Sequence, residues 1–579
     1  MKIFIPPKGG FFVFIFIIMT SGENPITKIE RMSTVEITRP TAGIVLQNVE
    51  DIFLGENSYY TDGIEALTPL LHAQAEFLCD RFNNSQNQAQ VTAREILRGR
   101  RWEAWDVDYG RRQHVGISTV VAPGMFVSVF GQHPLKKIYS SGPLAYVDVG
   151  EGQNDVFIDA LTNATVNNTG SHPLNALAAS TANMLTGGTY CLAYHDGPLV
   201  EQASRAMLGL HPMYEGQGKV WWGNDGGSAS AFAVHLAEKA VSAEKGENPN
   251  RLVVAFKEAY HGNVQNKGGD LTPGIGRTGG NHIIEYPDLS VEVETAISEL
   301  RTLIEDDRVS TIILEATQGD GGGIQMHPDF FVQMMKLSMD YNVPLIFDEI
   351  QSGFGRSGKI FNYEYLLEEY QASELVKSGQ YPVNPDNIIT IVGKSMTDGC
   401  SQGSAVIFND RYTQYNGRAE GVATFAAFPG TLAASIATIN TVKNPAYLDM
   451  ARNNRAIFED ALAMYVEEEG IIRRTRGNGS HLFVEIGGEP LLYRNGVPVG
   501  NHEVAQVFLA ERFRILTGTV SRHGLRIHLP INADPVVYHA VAMAVGEVGV
   551  LMSQGNIGTL APILLKEVSG LAGRTVQEI

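Results

Sequence analysis

The sequence predicts an α/β protein in which a large domain with a mostly parallel sheet is joined to a smaller α+β domain, and three observations carry that expectation. Between about residues 218 and 440, an apolar run, a turn and an amphipathic segment recur in that order, as strand–helix–strand units require. Five of the runs, Leu252–Phe256, Thr311–Leu314, Leu345–Phe347, Ile388–Val392 and Ser404–Phe408, are short, apolar and closed by polar or glycine residues, as buried strands are. From about residue 446 the grain changes to one helix, Asn453 to Glu469, among short strands.

The chain of 579 residues is too long for one core. It divides into an extension (1–125), a segment approaching the large domain and contributing to the small one (126–217), the large domain (218–445) and the C-terminal small domain (446–579). In the extension, Phe11 to Met19 is an apolar run behind Lys2 and Lys8, too short to cross a bilayer as a helix. Residues 1–31 are then either a leader or a stretch upstream of a start at Met19 or Met32; the second reading is preferred, because nothing else suits an oxidising compartment. Leu67 to Phe82 has the apolar spacing of a helix, and residues 142–163 alternate as a hairpin.

Hydrophobic and charged contents of 44% and 18% fit a globular chain, while a net charge of −19 without a basic run argues against nucleic acid as a partner. No membrane span is expected. Cys79, Cys191 and Cys400 are odd in number and far apart, which points to a reducing, cytoplasmic location rather than a disulfide framework. No His/Cys cluster has metal-ligand spacing.

The chemistry is concentrated at strand ends. Asp348 closes one buried run, within LIFDEIQSGFGRSGK, and Lys394 follows another, IITIVGK. An acid and an amine at neighbouring strand ends suit pyridoxal 5'-phosphate: the lysine forms a Schiff base with the aldehyde, and the acid keeps the pyridine nitrogen protonated. Gly226, Gly227 and Ser228 open a helix whose apolar face runs Phe232, Leu236, Ala240. Free N–H groups at such an end can take a phosphate, although many glycine-rich helix starts are only tight turns. Tyr260 and His261, after Leu252–Phe256, offer an aromatic face for a flat ring, or a structural pair. Gly321 to Gly323 lacks the spacing of a dinucleotide fingerprint.

In this order the pieces resemble the class III, fold-type I pyridoxal phosphate aminotransferases, from about Gly142 to the C-terminus, with FDEIQSGFGRSGK the most specific part. The resemblance implies a seven-stranded-type sheet in the large domain and an exchange between an amino donor and a keto-acid acceptor through a Lys394 Schiff base. It sets Asp348 on the pyridine nitrogen, Gln351 beside the phenolic oxygen, Gly226 and Gly227 at the phosphate and Tyr260 on the ring. Arg526, in GLRIHLPI, would grip a substrate carboxylate, for which a guanidinium's paired donors are suited. EATQGD resembles the family's acidic segment, with Asp320 as the gating acid, and Thr424 would reach the phosphate of a neighbouring subunit, making the unit a homodimer. An aminomutase or racemase of the same fold would use the same lysine and aspartate, and a catalytically silent binding protein would keep the fold alone.

The chain departs from the family pattern in several places. Asp225 and Ser228 stand where Ser/Thr and Glu are usual, the gating acid is the shorter Asp320, and the second proline after Arg526 is displaced to Leu529-Pro530. Residues 363–384 lengthen the interval between Arg356 and Lys394 and read as an insertion near the active-site mouth. Thr431 competes with Thr424 for the phosphate.

Overall fold

The computed structural model describes residues 136–555, apart from 142, 151–152, 172, 186–196, 215, 263–280, 289–292, 417–420, 422–423, 495–496 and 521–523. The helix expected over Leu67–Phe82, and the rest of the extension up to residue 125, lie outside the described residues. The stretch expected as a hairpin forms β2 (Leu144–Gly150) and β3 (Gln153–Asp159), and β1 (Lys136–Ser141) before it makes the three strands a meander, antiparallel throughout.

The seven-stranded sheet holds β4 (Lys219–Gly223), β5 (Leu252–Phe256), β6 (Asn281–Ile284), β7 (Val309–Leu314), β8 (Leu345–Asp348), β9 (Ile388–Val392) and β10 (Ser404–Phe408). Their order is β4-β10-β9-β8-β7-β5-β6, and β10 is the one strand that runs against the direction of the rest. Successive side chains feed opposite faces. Val253, Ala255, Ile313, Ile346, Ile389 and Val406 pack with Phe232 and Leu236 of the helix Gly226–Lys245. Val254, Phe256, Ile312, Leu345, Phe347 and Val392 pack with helices on the other side, Val293–Glu305, Pro328–Tyr341 and Pro429–Val442 among them. Because both faces are covered, the strands are apolar runs rather than alternating ones.

The small domain carries a second four-stranded sheet of β11 (Ile472–Asn478), β12 (His481–Ile486), β16 (Gly518–Val520) and β17 (Gly524–Ile527), in the order β11-β12-β17-β16. Three shorter strands complete it: β13 (Leu492–Arg494) pairs with β14 (Val497–Val499), and β15 (Ile515–Leu516) adds to β3 in parallel. One core joins Leu144 and Ile158 of the meander to Leu482, Val484, Leu525 and the buried face of the helix Pro535–Ser553. That helix is apolar and long enough to span a bilayer, but it serves as a core helix here.

Two expectations shift. The helix expected at Asn453 to Glu469 runs from Pro445 to Leu462, because Asn444 caps it, accepting from the N–H of Ala446, and Pro445 supplies the first turn. Residues 363–384 do not gather at the active-site end. The helix Glu364–Ala372 buries Leu366, Leu367 and Tyr370 in the core shared with the helix Pro328–Tyr341. The chain then returns to Asp386, which accepts from Asn409 Nδ2 just after the far end of β10. The segment is the crossover from β8 to the start of β9.

Candidate active site at the ends of the parallel strands

Asp348 is the last residue of β8, and its strand partner in β9 is Ile391, three residues before Lys394. The acid is buried, and each oxygen accepts one hydrogen bond: Oδ2 from His261 Nδ1 at 2.7 Å and Oδ1 from the Ile350 N–H at 3.1 Å. A carboxylate has room for more than two donors, so Asp348 can still take a protonated ring nitrogen. His261 is thereby placed as the support of Asp348.

Lys394 opens a 3-10 turn, Lys394–Thr397, with φ +42°. A non-glycine residue adopts that left-handed conformation at a cost, and such strain gathers at functional sites. Burial and then the positive charge of Arg526 hold its amine below the usual lysine range, against Asp320, Asp348 and Glu315, which act the other way. Four residues distant in sequence thus share one electrostatic neighbourhood with the lysine.

The glycines bring two loops together. Gly262 has φ +100°, and a Cβ on it would lie 2.8 Å from the Gly227 Cα, so the Tyr260–Gly262 loop abuts the helix start at Gly226–Gly227. A Cβ on Gly226 would meet Ile350 Cδ1 at 2.8 Å. The half-buried Tyr260 donates its backbone N–H to Glu315 Oε1 at 3.0 Å, and Glu315 Oε2 accepts from the Gly319 N–H at 2.8 Å. Burial, reinforced by Asp348, pushes the Glu315 carboxyl up to about 7. Ser228 does not offer its donors outward: its N–H and hydroxyl donate to Asp225 Oδ1 and Oδ2 at 3.0 and 2.6 Å, so the acid caps the helix.

The small domain supplies the opposing wall. Arg526 on β17 is buried, and its Nη2 donates to Asp320 Oδ1 at 2.7 Å, while its Nε has no hydrogen-bond partner. The shorter acid therefore does reach the arginine. Arg526 faces Phe483 across the ladder, so His481, Phe483, Arg526 and His528 share one sheet face. Sequence reasoning missed His481 and His528. Their only sequence signal is period: polar residues two apart from Phe483 and Arg526 inside apolar strands.

The two threonines separate. Thr431 is buried, its Oγ1 donating to the Gln402 carbonyl at 2.7 Å, whereas Thr424 is exposed beside Phe425, which is 57% exposed. Glu349 and Arg356 are structural. Glu349 accepts from the N–H groups of Asn362 and Tyr363 and from Ser352 Oγ; Arg356 donates to Asn168 Oδ1, Leu529 O and Asn167 O, pinning the 162–168 loop to the small domain.

A lysine, a supported buried acid, a flanking aromatic and a closely packed glycine turn fit the aldehyde, ring and phosphate of pyridoxal phosphate; the misfit is Asp225 at the phosphate end. This fold is that of the fold-type I enzymes. The structure resembles ornithine aminotransferase from Toxoplasma gondii at a TM-score of 0.59 and 21% identity, covering 73% of this chain and 91% of that one. It also resembles a transaminase from the marine bacterium Virgibacillus, at a TM-score of 0.61 and 18% identity over 72% and 93%. In another structure of the Toxoplasma enzyme, pyridoxal phosphate partly occupies the active site.

Residues 145–491, well over half of the chain, match the class-III aminotransferase family, and the chain belongs to that pyridoxal-phosphate-dependent family. Its relatives include the acetylornithine aminotransferases of Caldanaerobacter subterraneus subsp. tengcongensis, 28% identical over 273 residues, and of Bacillus subtilis, 26% identical over 352. The matches cover 46% and 59% of this chain, and 63% and 80% of those enzymes.

Proposed function

We propose that the protein transfers an amino group from an amine or amino acid to a keto acid, in two half-reactions on one site. The observation that carries this reading is the register that sets Asp348 and Lys394 at adjacent strand ends, with Arg526 within charge range of the lysine. Bound pyridoxal phosphate would supply the ring that accepts the electron pair released at the donor carbon. Asp348, held by His261, would keep the ring nitrogen protonated. Gln351 would donate to the phenolic oxygen, Tyr260 would cover the ring, and the Gly226 and Gly227 N–H groups, with Ser228 behind them, would meet the phosphate. Lys394, with its lowered basicity, would take the proton from the donor carbon and deliver it to the C4′ carbon of the cofactor.

Arg526 would orient a substrate carboxylate, and Asp320 would have to leave it when that carboxylate arrives. With a donor that brings no carboxylate, the Asp320–Arg526 pair keeps the guanidinium neutralised. A homodimer with a shared site is the working unit of this proposal, because Thr424 lies at the surface of its own subunit while Thr431 is engaged within it. Three scattered cysteines, of which Cys400 is a free thiol, favour a cytoplasmic location.

The visible spectrum tests the reading. Purified wild type should show the absorption of lysine-linked cofactor, and Lys394→Ala should lose it. Adding an amine without a keto acid should bleach the band once and then stall. A racemase would keep turning over without acceptor, and retention of the band in Lys394→Ala would refute the role of the lysine.

A further inference from the structure

Gln351 is held from two sides. Its Oε1 lies 3.0 Å from His481 Nε2, and a Cβ on Gly319 would lie 2.0 Å from the same oxygen, so the amide occupies space that any other residue at 319 would take. His481 is wholly buried and boxed in, edge-on to Phe483 at 4.8 Å and tilted against His528 at 5.0 Å. Burial, together with the charges of Arg356, Arg526, Lys394 and Arg455, drives its imidazole well below the usual histidine range. A neutral ring that bonds a carbonyl oxygen through Nε2 carries its single proton on Nε2. The Gln351 oxygen is then committed to His481, which leaves the amide N–H groups for another acceptor.

We infer that His481 is a positioning residue, which turns the Gln351 amide so that its N–H, and not its carbonyl, meets the phenolic oxygen of pyridoxal phosphate. This rests on the reading of Gln351 given above. An N–H on that oxygen stabilises its negative charge, and does so most when the adjoining Lys394 nitrogen is unprotonated. Losing the orientation should therefore raise the pH at which the Lys394–cofactor linkage titrates. Arg526, Asp320, Asp348 and Glu315 also act on that nitrogen, and they stay constant through the comparison.

The test is a pH titration of the visible band of the full-length, cofactor-loaded protein. His481→Leu should move the midpoint up by about one pH unit, and His481→Asn, which restores a donor, should bring most of it back. In a Gln351→Ala background, His481→Leu should produce no further shift. An unchanged midpoint in His481→Leu, or the same shift in both backgrounds, overturns the inference. Should His481→Leu fail to fold, Gly319→Ala carries the test: it crowds the same oxygen with His481 intact and should raise the midpoint, and an unmoved midpoint there is equally fatal. A wild type without a visible band would sink the cofactor reading itself, whereas a normal wild-type band with an unmoved variant sinks only the role of His481.

Discussion

Asp225 is where this chain's chemistry departs most from what a phosphate site asks for. Its carboxylate caps the helix Gly226–Lys245 through the N–H and hydroxyl of Ser228, taking donors at the end where a phosphate would settle. A carboxylate near a phosphate is repulsive, and the side chain is exposed, so the repulsion is screened but not abolished. Serine caps a helix nearly as well as aspartate and carries no charge. Asp225→Ser should bind pyridoxal phosphate about tenfold tighter at low salt, with the gain shrinking as salt is added. Pyridoxal, which lacks the phosphate, should bind both proteins alike. Equal affinity for pyridoxal phosphate in a spectroscopic titration would remove Asp225 from the phosphate site.

The turn that follows β8 is organised by one buried acid. Glu349 accepts from Asn362 and Tyr363 N–H groups and from Ser352, closing the loop that carries Gln351, and burial pushes its carboxyl up to about 8. A carboxyl whose folded value lies above its unfolded one of 4.5 contributes stability that is full below the unfolded value and lost as pH rises through about 8. Glu349→Gln does not titrate. It should start less stable near pH 5, since its amide faces an N–H donor, and should regain on wild type by about 4 kcal/mol toward pH 8.5. Melting-temperature differences that stay flat across that window would show that the acid is not held neutral.

The same loop shows which elements were legible in the sequence. β5, β9 and β10 were readable to the residue because a strand buried on both faces must be one apolar run. β6 is only Asn281–Ile284, and its four residues carry too little pattern to be set apart from a loop. Asp348 and Lys394 were legible because strand ends and local motif coincide. The His481–Gln351 contact was not, since it joins residues 130 apart through the docking of one domain on another. Nor could sequence show that residues 363–384 run away from the site, because a longer crossover helix and an inserted lid read alike until packing of Tyr370 on Phe331 is seen.

At the scale of the whole molecule, what matters is how many chains one site needs. Lys394, Asp348, Gln351 and Arg526 come from one chain, and both of its domains contribute. Thr424 does not join them: it is exposed beside Phe425, in the segment that precedes the buried helix Pro429–Val442. A large exposed aromatic next to a candidate phosphate donor is the composition of an interface rather than of a solvated loop. If Thr424 serves the partner's phosphate, two inactive proteins should repair each other. Lys394→Ala removes the amine, and Thr424→Asp sets a negative charge against the phosphate; each homodimer should be inactive. In a hybrid dimer, one site carries both defects and the other carries neither. Co-refolding equal amounts should therefore restore about a quarter of wild-type activity by random pairing into symmetric dimers. Recovery near zero, in a preparation shown by mass to contain the hybrid, would mean that Thr424 acts on its own subunit or on none.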